Sequence, residues 1–165
     1  MKFPFFLLVL VTVAGSAVAG LQEMAANPAG LDVARMKEVP LAIGKGPKAW
    51  MEIPKQLTAK SANIFKPDKD MQGHTEFSVT HEGYVLLACN YSYQGNPSGD
   101  WQKDVMTERD FKRKGWRVLT KSALGGLLVQ GDGRVQVIFW KKVKAGERYD
   151  LRCNKYDPPY PILLH

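Results

Sequence analysis

The sequence predicts an all-β protein, a single antiparallel β-sandwich of the jelly-roll kind with one short helical turn and a signal peptide before it. Runs with strand composition recur at roughly ten-residue spacing from residue 53 onward. Two of them, 127–130 and 135–143, flank the step Asp132-Gly133, which supplies the positive φ of a tight hairpin. Because so little of the chain has helical features, this spacing favours a sandwich or a barrel over a parallel α/β fold.

Residues 1–19 are typical of an export signal. Lys2 precedes an apolar run, small residues end it, and Ala17-Val18-Ala19 fits the pattern before a cleavage site. The apolar run is short for a membrane-spanning helix, and no cysteine follows the cleavage point to carry a lipid. We therefore expect a secreted or periplasmic protein; an uncleaved membrane anchor is the alternative.

The segment 20–52 differs in composition from the rest of the chain. It is rich in Ala, Gly and Pro, and Pro28, Gly30 and Pro40 interrupt any regular helix. We predict an extended or loosely helical arm here, followed by the sandwich domain at 53–165.

Within that domain the last strands should follow one another directly. The short turn 144–147 separates the run 135–143 from 148–153, which predicts that 127–153 forms a three-strand meander. The helical turn is expected after Thr107, a capping residue followed by acidic and then basic side chains, with Gly115 at its end.

The two cysteines, Cys89 and Cys153, are each in phase with the apolar residues of a predicted strand. Strand alternation points both thiols at the core. Export places them where a disulfide can persist, so we predict a Cys89–Cys153 bridge. Two buried free thiols are the alternative.

The charge balance limits the class of partner. Lys and Arg number 23 against 16 Asp and Glu, a formal net charge of +7. For an exported protein this favours acidic envelope polymers, anionic lipid or acidic polysaccharide. Nucleic acid is not indicated, because the basic residues are scattered and only 112–114 form a dense cluster.

Several short features occur in a recognisable order. An apolar strand follows Gly83, a polar loop ends in Trp101, Gly115-Trp116 precedes another strand, and the last strand ends at Asn154. Over about residues 75–155 this order resembles the small β-sandwich accessory domains of secreted bacterial enzymes that degrade polysaccharides. The resemblance implies a fold and a carbohydrate context, and it assigns no binding residues. The cysteine pair and the Pro-rich tail depart from that group.

The loop 91–101, with the sequence YSYQGNPSGDW, is the strongest ligand-binding candidate. A sugar ring stacks its apolar face on a flat side chain while neighbouring polar groups bond its hydroxyls. The candidate residues are Tyr91, Tyr93, Trp101, Asn96 and Asp100. The alternative is that the tyrosines plug the end of the sandwich, because they are in phase with the residues of the preceding strand. Trp116 and Trp140 are predicted to lie in the core.

No arrangement of residues indicates catalysis, a metal or a cofactor. His74 and His81 do not have the spacing of two histidines that bind one zinc ion, and we expect both at the surface. The segment 68–79 starts like a calcium loop but has Val79 where the bidentate glutamate should be. We therefore predict a non-enzymatic exported binding module for a carbohydrate or an acidic envelope polymer. The alternative is a structural or protein-interaction domain with a basic face and no small ligand, and a small hydrolase is the third possibility.

Overall fold

The structure is a computed structural model that describes residues 20–46, 49–57, 61–67, 74–90, 106–153 and 157–165. Of these residues, 50% lie in strands and 15% in helices, which confirms the expected mostly β protein. The signal segment 1–19 is outside the described residues, so its identity as a signal peptide stays a prediction. No helix of the described part is long and apolar enough to cross a membrane.

The described residues contain three helices and eleven strands. Residues 20–26 form α1, and the other helices are α2 (Glu108–Arg113) and α3 (Lys121–Leu124). The strands are β1 (Gly30–Val33), β2 (Met36–Pro40), β3 (Trp50–Glu52), β4 (Ala62–Pro67), β5 (Thr75–His81), β6 (Gly83–Cys89), β7 (Arg117–Leu119), β8 (Leu128–Gln130), β9 (Val135–Val143), β10 (Arg148–Leu151) and β11 (Tyr160–Leu164).

The strands form two antiparallel sheets. The smaller sheet has the order β1-β5-β10. The larger runs β2-β4-β11-β6-β9-β8-β3 and curls into half a barrel. Strand β9 is its longest: β6 pairs along one edge, while β7 and β8 share the other. The jelly-roll-like sandwich stays a prediction.

The larger sheet is covered on both faces. Along β6, Val85 and Leu87 belong to one core cluster, whereas Leu86 and Ala88 belong to another, as strand alternation requires. The first cluster includes residues of the smaller sheet and of α2. The second includes residues of α1, α3 and the segment 41–57. This double covering explains why β6 is apolar throughout rather than alternating.

The segment predicted as an arm is part of the folded domain. Strand β1 pairs with β5, β2 with β4 and β3 with β8. Helix α1 buries Leu21 and Met24 in the second core cluster. Main-chain bonds between Tyr84 and the residues Asn27 and Ala29 fasten the link after α1 onto β6, with N–O distances of 2.8 and 3.0 Å.

The predicted hairpin is confirmed, but the predicted meander is wrong. Gly133 has φ 82° in the turn that joins β8 to β9, and these strands pair antiparallel. Strand β10 does not continue from β9 in the same sheet; it pairs with β5 of the smaller sheet. Hydrogen bonds of Val79 with Gly146 and Glu147 hold the turn against β5, so the chain crosses between sheets there.

The helical turn after Thr107 is confirmed as α2. The Thr107 hydroxyl accepts from the Asp110 main-chain N–H at 3.3 Å, and an Asp110 carboxylate oxygen accepts from the Thr107 N–H at 2.9 Å. This reciprocal pair is a capping box, and the bonds that the Asp110 carboxylate accepts from the Thr107 main-chain N–H and hydroxyl lower the pKa of Asp110. Helices α1 and α3 add to the single helical turn that the sequence predicts.

The cysteines require a correction. Cys89 and Cys153 are buried in the same core cluster, as their strand phase predicted, but they are near each other without being at disulfide distance. Cys89 ends a strand of the larger sheet, whereas Cys153 follows β10 of the smaller one. The Cys153 Sγ lies 3.9 Å from the main-chain oxygen of Asp157. The thiols match the alternative of small buried apolar groups.

Candidate functional site

The five ligand-binding residues predicted from the sequence, Tyr91, Tyr93, Asn96, Asp100 and Trp101, lie outside the described residues. The described chain reaches Asn90, which is buried just after the end of β6, and resumes at Met106. The sugar platform on this loop therefore stays a prediction.

A second group of aromatic and basic side chains lies together on the larger sheet. We call it the basic–aromatic strip, and it consists of Tyr84, Arg117, Trp140 and Lys142. Tyr84 is opposite Lys142 in the pairing of β6 with β9, and Arg117 is opposite Trp140 in the pairing of β7 with β9. Since Trp140 and Lys142 are two residues apart, all four side chains share one face of three adjacent strands.

The rings and cations of the strip are in contact. The ring centroids of Tyr84 and Trp140 are 6.0 Å apart with an interplanar angle of 49°. The Arg117 Cζ atom lies 5.2 Å from the Trp140 centroid, and the Lys142 Nζ atom lies 5.8 Å from the Tyr84 centroid. Each cation is therefore within the range in which a ring face attracts it.

The two tryptophans that were predicted to lie in the core, Trp116 and Trp140, differ in exposure. Trp116 is 1% exposed, as predicted for a core residue. Trp140, also predicted in the core, packs against the second core cluster but is only partly buried. Arg117 and Lys142 are exposed.

The two cations of the strip face aromatic rings rather than acidic side chains of the described residues. Among the described residues, neither Arg117 nor Lys142 forms an ion pair with a carboxylate. Within the described part of the chain, the acid bonded to the strip is Glu23 of α1, which accepts a 2.6 Å hydrogen bond from the Tyr84 hydroxyl. That bond raises the pKa of Tyr84.

None of the four strip residues is a binding candidate in the sequence alone. The alternation of Trp140 with Lys142 after an apolar run is a usable signal, because it marks where one face of β9 turns polar. The partners Tyr84 and Arg117 depend on strand pairing that no local pattern specifies.

A separate cleft lies on the outer face of the smaller sheet. We call it the outer cleft; its volume is about 460 Å³. Its polar lining residues are Asp32, Glu76, Ser78, Arg148 and Asp150. His74 lies beside it, with its Nε2 atom 2.8 Å from Oε1 of Glu76.

Glu147 and Tyr149 form a hydrogen-bonded pair next to this cleft. Near neutral pH, Glu147 is ionised and Tyr149 is neutral. Glu147 accepts bonds from the Lys144 main-chain N–H and the Tyr149 hydroxyl, and these lower its pKa. Burial and the bond to Glu147 raise the pKa of Tyr149. Because both values move away from neutrality, neither group of this pair is tuned for proton transfer at neutral pH.

Comparison with protein-family models, with curated proteins and with solved structures found no match to this chain. The resemblance to accessory domains of polysaccharide-degrading enzymes therefore stays a prediction.

Proposed function

We propose that the protein is an exported, non-enzymatic binding module for an acidic carbohydrate or another acidic envelope polymer, and that the basic–aromatic strip is its binding surface. The observation that carries the proposal is the contact of Arg117 with the partly exposed ring of Trp140, beside the matching pair of Lys142 and Tyr84. Rings and cations on one surface can bind both the apolar face and the anionic group of an acidic sugar.

The two kinds of side chain match two kinds of ligand group. The apolar C–H face or edge of a sugar packs on an aromatic side chain, and its carboxylate or sulfate is bound by a cation. An arginine held over a ring keeps its N–H edge free for a two-point contact with a carboxylate. Arg117 is so placed, and it has no acidic partner in the described part of the chain.

The strip is also built on rigid elements. Its residues project from β6, β7 and β9, three neighbouring strands whose other face is packed in the first core cluster. Side chains held in place before binding lose less conformational entropy when the ligand arrives. The net charge of +7 adds a long-range attraction for polyanions that falls with salt.

The alternative of a protein-interaction domain uses the same surface. Exposed Arg117 and Lys142 without acidic partners would equally suit an acidic protein. A module of this second class binds no polysaccharide, whereas the proposed module binds one reversibly and in competition with free acidic oligosaccharide.

Affinity electrophoresis tests the proposal with the protein in gels that contain polygalacturonate, alginate or neutral hydroxyethyl cellulose. We expect retardation in the acidic gels alone, weakening as salt is added. The double variant Arg117→Gln/Lys142→Gln should bind at least about tenfold more weakly, because two charge-assisted contacts are lost.

The matched control is Arg109→Gln/Lys121→Gln, which removes the same charge from two exposed positions outside the strip. This control should bind nearly as well as the wild type. Equal losses in both double variants would show that net charge alone acts. The absence of retardation in every acidic gel at low salt would refute polysaccharide binding.

Export is tested separately by sequencing the amino terminus of the protein recovered from the extracytoplasmic fraction. We expect the mature chain to start at Gly20, directly after Ala19. Recovery of the intact chain from the cytoplasm would contradict the proposed location.

A further inference from the structure

We propose that His74, Glu76 and Asp150 form a binding site for a divalent transition-metal ion of the Zn²⁺ class at the edge of the outer cleft. The site goes beyond the proposed polymer binding, because it lies on the smaller sheet and shares no residue with the basic–aromatic strip. It would hold the metal through one imidazole nitrogen and two carboxylates.

The fold brings the three residues together from two strands. Glu76 on β5 is directly opposite Asp150 on β10 in the antiparallel pairing. His74 precedes β5 and is two residues from Glu76, so the two side chains share a face. Thr75 between them is buried, and its hydroxyl donates to the main-chain oxygen of Pro159. That anchor keeps His74 and Glu76 directed outward.

The distances bring the three groups within reach of one metal ion once the His74–Glu76 hydrogen bond opens and the side chains rotate. The Nε2 atom of His74 is 2.8 Å from Oε1 of Glu76, and one ligand atom from each of the three residues lies within 4.8 Å of the others. With bonds of about 2.0–2.2 Å, neighbouring ligand atoms around zinc stand roughly 3–3.5 Å apart. Glu76 and Asp150 are exposed, so side-chain rotations can provide the remaining adjustment.

The site places two carboxylates opposite each other, and Arg148 lines the same cleft. Carboxylates directly opposite each other on paired strands repel. In a chain with 23 Lys and Arg, neither Glu76 nor Asp150 forms an ion pair with a lysine or an arginine of the described residues, and Glu76 contacts the His74 imidazole. They converge on an imidazole instead. A metal ion would offset the repulsion and use all three groups.

The donor set indicates which metal. Imidazole nitrogen is a ligand preferred by zinc and neighbouring transition metals, whereas calcium and magnesium favour all-oxygen sites. The histidine therefore distinguishes this set from an ordinary acidic patch. Three protein ligands leave a position open, and the outer cleft, into which Asp32 also faces, gives room there for water or a ligand group.

Isothermal titration of the full, chelator-treated protein tests the site, with Zn²⁺ as the probe and Ca²⁺ and Mg²⁺ as comparators. We expect one Zn²⁺ per chain, bound at least about tenfold more tightly than Ca²⁺ or Mg²⁺. His74→Gln and Asp150→Asn should each weaken Zn²⁺ binding at least about tenfold. The control His81→Gln changes an exposed histidine at the far end of β5 and should bind like the wild type.

A second measurement avoids any dependence on variant folding. The chain has three histidines, so their ring signals in NMR spectra of the wild-type protein can be followed during Zn²⁺ addition. We expect the His74 signals to shift when one Zn²⁺ ion has been added per protein chain, whereas the His81 signals should not shift. Zn²⁺ binding that leaves the His74 signals unchanged, or the absence of stoichiometric Zn²⁺ binding, would overturn the proposal.

Discussion

The hydroxyl of Tyr149 donates a 2.7 Å hydrogen bond to Oε2 of Glu147, and the same oxygen accepts from the main-chain N–H of Lys144 at 3.0 Å. Glu147 thereby closes the turn in which the chain leaves β9 and enters the smaller sheet. Tyr149 is at the same time stacked on Phe77 with a centroid distance of 4.9 Å. One polar bond thus ties the crossover between sheets to the core.

The Tyr149→Phe variant should lose about 1 kcal/mol of stability at neutral pH, because a hydrogen bond to a partly exposed carboxylate is removed. The folded-state pKa of Glu147 is lowered, so its contribution is present above the ordinary carboxyl range and is lost as the pH falls through the folded value. The deficit of the variant should therefore shrink between pH 7 and about pH 3. Urea denaturation at both pH values measures it, and an equal deficit at both would contradict the assignment.

Gly83→Ala should destabilise the protein by about 2 kcal/mol or more, because overpacking against main chain cannot relax easily. A Cβ atom at position 83 would lie 2.5 Å from main-chain atoms of Pro28 and Ala29. The matched control is Gly20→Ala, where a Cβ meets nothing within 4 Å. Thermal unfolding of both variants tests the docking of the link after α1, and equal stability would argue against it.

Phe111→Ala should cost about 3–5 kcal/mol, the range for removing a buried aromatic ring. Phe111 is fully buried, stacks on Phe139 at 4.8 Å and meets Trp116 edge-on at 6.3 Å. Its loss would free α2 from the larger sheet. Ile43→Ala, at a position that is 70% exposed, should change the unfolding free energy by less than about 0.5 kcal/mol. Similar costs for the two variants in chemical denaturation would contradict the packing of α2.

The thiols of Cys89 and Cys153 should resist alkylation in the native protein, since their residues are 0% and 3% exposed. After unfolding without a reducing agent, mass spectrometry should find two alkyl groups on each chain. An unfolded chain that takes up none would show a bridge between the two cysteines, contrary to their separation in the structure.

Much of the local structure is predictable from short stretches of the chain. The turn at Gly133 and the start of α2 at Thr107 each depend on a few adjacent residues, and both are confirmed. The strands of the segment 20–52 are not predictable from the sequence, because short strands interrupted by proline and glycine carry little periodicity. These strands, β1, β2 and β3, pair with strands that lie far along the chain.

The sequence by itself therefore determined the strand-rich class, the hairpin, the cap of α2 and the inward direction of both cysteines, because propensity, turn chemistry and side-chain alternation act over a few residues. The tertiary structure decided that β10 joins β5, that Trp140 meets Arg117 and Tyr84, and that His74 and Glu76 meet Asp150. Each of these depends on which strands are neighbours and in what register. That choice is made by the burial of apolar surface over the whole chain, and no local pattern encodes it.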